Sequence, residues 1–110
     1  MSPRDTRPSR RVPPAKAPSA ASIKAEVNEV LLRASPRSPD PLEPCMSLEF
    51  ELHLSDEIKR GLSNSLQAIA RQFKPAVRIS DNECAHLDVV EDAWVLVATK
   101  SGLSLDKACQ

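Results

Sequence analysis

Nine of the ten prolines lie within the first 45 residues, and this uneven distribution divides the chain before any other feature is considered. A proline fixes one backbone torsion and lacks an amide donor, so neither a continuous helix nor a central strand accepts one every few residues. Residues 1–45 also carry few large apolar side chains and cannot offset the entropy of ordering their backbone. They are therefore expected to form a disordered Pro- and Arg-rich tail, partly polyproline II in character. Residues 46–110 are expected to form a small body, because a chain of 110 residues holds one domain at most.

The formal net charge is zero, yet the halves differ. The tail carries eight Lys/Arg against five Asp/Glu, and the body seven against ten, so they stand at +3 and −3. That contrast is too small to predict nucleic-acid binding through counterion release. An Arg-rich N-terminus suits a mitochondrial presequence, but Pro3, Pro8, Pro13, Pro14 and Pro18 break the amphipathic helix a presequence needs. Without an apolar run of 18 residues, no membrane span is expected.

One segment of the tail escapes the prolines. From Ser22 to Ala34, Ile23, Val27, Val30 and Leu31 recur at helical spacing, with Ser22 placed to cap and Pro36 to stop. A helix of that length is marginal in water unless its stripe is covered, by this protein or by a partner. The spacing of Ile23, Val27, Val30 and Leu32 also fits a nuclear export signal, as it does in most amphipathic helices. Beyond it, Ser35 and Ser38 each precede a proline, as candidate phosphorylation sites that would reverse the tail's charge.

At Met46, itself a candidate alternative start of translation, the composition changes. Leu48, Phe50, Leu52 and Leu54 alternate with Ser47, Glu49, Glu51 and His53, the pattern of a strand with one buried face. Ser55 then caps a helix carrying Ile58, Leu62, Leu66, Ile69 and Phe73 on one face, ended by Pro75. For residues 81–100 a second helix is favoured by the capping box of Ser80 and Glu83 and by Gly102 just past the end. The valines of that segment allow a hairpin of 86–90 with 93–99 instead, which would make the body βαββ. Ser104 opens what reads as the first turn of a last helix. The fold class expected is mainly α with one N-terminal strand, a small α+β body behind a long disordered tail.

Cys45, Cys84 and Cys109 are far apart and odd in number, and no apolar leader precedes them, so reduced thiols and a cytoplasmic or nuclear setting are expected. Cys84 and His86, two residues apart, diverge by about 200° on a helix and make a poor metal pair. With only Gly61 and Gly102 there is no Gly-rich phosphate loop, and no Ser/His/Asp or Cys/His set has a supporting motif. No catalytic residue, cofactor, metal or small-molecule substrate is therefore assigned.

The body holds 21 large apolar side chains in 65 residues, more than a lone copy is expected to cover. Association is the natural supplement, through a face of Ile58, Leu62, Leu66, Ile69, Phe73, Leu87, Val90 and Trp94 shared between core and partner, with Trp94 read first as core and otherwise as an interface anchor. The function expected is a non-catalytic protein-interaction module or complex subunit, bound to a protein partner or to copies of itself. The order strand, helix, helix with an unpaired strand resembles ribbon-helix-helix DNA-binding proteins over residues 47 to 100, which implies a transcriptional regulator as the alternative. The pattern departs from that family in its long helix from Ser55 to Phe73, and Glu49 and Glu51 would face the phosphates of the groove.

Overall fold

The computed structural model describes residues 18–35 and 41–109, and within them the chain is helical. Five helices occur among the described residues: α1 (Ala20–Ala34), α2 (Asp56–Gly61), α3 (Ser63–Arg71), α4 (Asp81–Ala85) and α5 (Val90–Lys100). Helix α2 packs on α4, while α1 lies across α3 and α5. The presequence reading, which falls on residues 1–17, lies outside the described residues, as does the expectation for residues 36–40.

Helix α1 forms where its apolar spacing places it, with its cap three residues earlier than expected. Ser19, not Ser22, is the cap, its hydroxyl accepting the Ser22 amide at 3.1 Å. Ile23, Val27 and Leu31 are fully buried, one above the next on successive turns. They belong to the same core as Leu66, Val90, Val97 and Leu54, so the core crosses the boundary expected at residues 45/46.

The strand expected at 47–54 does not form. Ser47 and Val89 make a single isolated bridge, and the rest of the segment winds into turns. Ser47 caps them from both sides: its hydroxyl accepts the Phe50 amide at 3.0 Å, and its own amide donates to the Glu51 carboxylate at 2.9 Å. Leu52 and Leu54 then donate backward to the carbonyls of Ser47 and Leu48, with His53 in the left-handed region at φ 59°. Leu48 and Leu52 are four apart as well as of equal parity, so one turn of helix buries both. Phe50 separates the two conformations: a strand would bury it beside them, and the turn leaves it 76% exposed.

The single helix expected from Ser55 to Phe73 is broken at Leu62, after Gly61, into α2 and α3. Ser55 caps α2 as anticipated, accepting the Ile58 amide at 3.2 Å. The break rotates α2 relative to the stripe of α3. Lys59 turns inward, donating from Nζ to the Leu87 carbonyl at 3.0 Å, and Ile58 turns outward. Arg71 and Gln67 hold the following loop, donating to Val77 O and accepting from the Ile79 amide.

Residues 81–85 and 90–100 are helical and no hairpin forms, so there are two helices where one was expected. The Ser80–Glu83 capping box is present, with the Glu83 amide 3.1 Å from Ser80 Oγ and the Ser80 amide 3.0 Å from Glu83 Oε1. A second start follows, because the Asp92 carboxylate accepts the amides of Asp88 and Val89 at 3.0 and 3.2 Å. Gly102 ends α5 in the left-handed conformation at φ +88°. The last helix expected from Ser104 is absent; residues 103–109 run without regular structure, their final amides bonded to α5 instead.

Candidate functional site

Seven of the eight residues assigned to a partner face are buried in the chain's own core: Leu62, Leu66, Ile69, Phe73, Leu87, Val90 and Trp94. Ile58 remains outside, 41% exposed. Helix α1 covers the part of this surface that α3 and α5 present. Trp94 makes this plain, since its indole N–H donates to Asn28 Oδ1 at 2.8 Å and Lys24 Nζ stands 5.0 Å from its ring centroid. Gln72, just past α3, adds a bond to Glu26 Oε1 at 2.7 Å.

Along the α1–α3 seam runs an open cleft of about 250 Å³, lined by Glu26, Glu29, Arg33, Val30, Ala68 and Gln72 among others. It is shallower and more charged than the apolar cavities that hold small molecules. Elsewhere, the Ser47–His53 turn displays Phe50 between Glu49 and Glu51. Phe50 and Ile58 are the large hydrophobic side chains left exposed among the described residues. Sequence reasoning missed Phe50 because parity placed it with the buried leucines; the Ser47/Glu51 spacing was the available sign of a turn.

The thiols differ from expectation. Cys45 and Cys109 are joined as a disulfide, with Cα atoms 5.3 Å apart across 64 positions of sequence. The argument for a reducing compartment from three reduced thiols therefore falls. Cys84 alone is free; burial, with help from Asp81 and Glu83, pushes its thiol up to about 11. His86 is turned to the Asn82 carbonyl, Nδ1 at 2.7 Å. Among the described residues no three His, Cys, Asp or Glu side chains converge on a metal position.

Glu91 bonds to the backbone beside both cysteines, at the start of α5 and 4% exposed. Its carboxylate accepts the amides of Ala108 at 2.7 Å and Cys109 at 3.0 Å, and these bonds hold it below the usual carboxylate range. Asp92, one residue on, is drawn the same way: burial pushes its carboxyl up, but the Asp88 and Val89 amides and Lys107 outweigh burial.

Of the two candidate phosphorylation sites, Ser35 is buried, and its hydroxyl donates to the Leu52 carbonyl. It is not the exposed residue that its place before a proline suggested. Ser38 lies outside the described residues. No helix among the described residues is long and apolar enough to cross a membrane. No protein-family model matches the chain, and neither a curated protein nor a solved structure resembles it significantly.

Proposed function

We propose that this chain is a small, non-catalytic protein-interaction module, a subunit of a complex, whose contact surface is the Ser47–His53 turn and the outer side of α2. The observation that carries this reading is Phe50, a large aromatic side chain held 76% exposed beside a closed core. An ordered aromatic on a fixed turn binds at low entropic cost, and aromatic anchors concentrate binding energy. Ile58, from the face read in the sequence, is the second apolar contact. The carboxylates of Glu49, Asp56 and Glu57 surround these residues in sequence and favour a protein partner over nucleic acid. The ribbon-helix-helix alternative loses its basis, because the strand it needs for pairing is a turn.

A non-catalytic role is supported by the same inventory. Cys84 is buried with its thiol far from ionisation at neutral pH, and His86 is engaged with backbone. A cytoplasmic or nuclear setting remains part of this proposal only.

The test compares capture from native extract by the full chain and by a Phe50→Ser, Ile58→Ser double variant, with sedimentation to register self-association. Loss of one reproducible partner or of the oligomer, with the helical spectrum unchanged, supports the reading. Identical capture and sedimentation by both chains contradicts it.

A further inference from the structure

The contacts that bring Cys45 to Cys109 do not depend on sulfur. On one side, the Glu91 amide donates to Pro44 O at 3.0 Å and the Val90 amide to Met46 O at 2.9 Å, bracketing Cys45. On the other, the Glu91 carboxylate takes the amides of Ala108 and Cys109, one on each oxygen. One residue thus grips both segments, through its backbone and its side chain. Because it is almost wholly shielded, water competes poorly for those bonds. Lys107 Nζ, 3.2 Å from Asp92, secures the C-terminal segment a second time.

The third cysteine is excluded from this chemistry. Cys84 is fully buried, and its raised thiol supplies almost no thiolate near neutral pH. Cys45 is exposed and Cys109 half-exposed, so a small reagent reaches them.

We propose that Cys45 and Cys109 form a preorganised dithiol–disulfide exchange site, with Glu91 as its positioning residue and a low-molecular-weight disulfide or thiol as co-reactant. In the oxidising direction one cysteine thiolate attacks a sulfur of the small disulfide, forming a mixed disulfide and expelling one small thiolate. The second cysteine thiolate then attacks the protein sulfur of that mixed disulfide and expels the other. Two protein thiols become one cystine, one small disulfide becomes two thiols, and the two protons pass from the cysteines to the leaving thiolates. A flexible chain of such length would give its ends an effective concentration of about millimolar or less. Held by Glu91, the second attack is between groups already in place, so ring closure outruns capture by another reagent molecule. The site acts as a redox-responsive clasp on the C-terminal segment, independent of the Phe50 surface.

The experiment equilibrates the full chain in graded mixtures of oxidised and reduced glutathione, quenches by alkylation and reads thiol state by mass spectrometry. The expected result is one transition to the Cys45–Cys109 disulfide, with little mixed disulfide and Cys84 alkylated only after denaturation. Glu91→Ala lowers the effective concentration about tenfold or more, and Glu91→Gln, which keeps one acceptor oxygen, falls between. Leu66→Ala, destabilising elsewhere, leaves it within about twofold while the chain is folded, as the sole Trp emission reports. Persistent glutathione adducts on both cysteines, or equal effective concentrations for the parent and a folded Glu91→Gln, would overturn the proposal.

Discussion

Two sides of the molecule reverse what their sequences suggest. On the α1/α5 side, residues that read as an interface are consumed internally: Trp94, Val90 and Leu66 lie against or beneath a helix that reads as part of a tail. On the Ser47–Ile58 side, Phe50 reads as core and is presented outward, beside Ile58, which reads as part of a contact face and stays exposed. The difference teaches that apolar surplus is a property of the segment counted. Taken from Met46 onward the chain has too many large apolar side chains for its size; with Ile23, Val27 and Leu31 laid over them they become one closed core.

The largest effects should come from the closed side. Leu66→Ala and Trp94→Ala each remove a side chain from the shared core and should cost about 3–5 kcal/mol in chemical denaturation. Leu31→Ala sharpens the contrast: a helix integral to the core loses about 2–4 kcal/mol there, and a loosely attached arm would lose less than about 0.5 kcal/mol. A milder loss, about 1 kcal/mol, is expected for Gly102→Ala. There the left-handed backbone opposes any Cβ, although the atom it would meet, Lys74 Cε at 3.0 Å, can move aside.

Acid should act on the helix starts. Glu83 is held below its ordinary value by the Ser80 amide, and Glu91 by the Ala108 and Cys109 amides. A folded-state value below the unfolded one means these bonds contribute fully above the unfolded carboxylate range, near pH 4, and are lost as pH falls through the folded values. Stability measured against pH should therefore decline on the acid side, and Glu91→Gln should flatten part of that decline. At the small end, Phe50→Ser should change stability by no more than about 0.5 kcal/mol, since the ring leaves no core contact behind. A large loss would mean the ring is covered in solution.

The sequence made legible those local contacts that follow a single unambiguous spacing. The stripe of α1, the Ser55 cap and the Ser80–Glu83 box all appear where their spacing puts them. The turn at Ser47 was hidden because Leu48 and Leu52 satisfy a period of two and a spacing of four alike, and the Ser47/Glu51 spacing was the one local sign that favoured the turn. Two helices were expected where four form: Gly61 gave a faint sign of the first break, and the second needs Asp92 to collect the Asp88 and Val89 amides. The clasp was the least visible feature, because Cys45 and Cys109 meet only once Glu91 has gathered segments remote in sequence. Trp94 was visible as an anchor, but the sequence did not say that its partner was Asn28 of the same chain.

Native-state hydrogen exchange on the full chain, resolved residue by residue, weighs the two sides against each other most directly. The amides of Val27 to Ala34 should be protected to within about tenfold of those in α5, both opening with the core. If α1 exchanged at the rate of a free peptide while α3 and α5 stayed protected, the apolar face of Trp94 would be open after all, and the assignment of contacts to Phe50 would lose its reason.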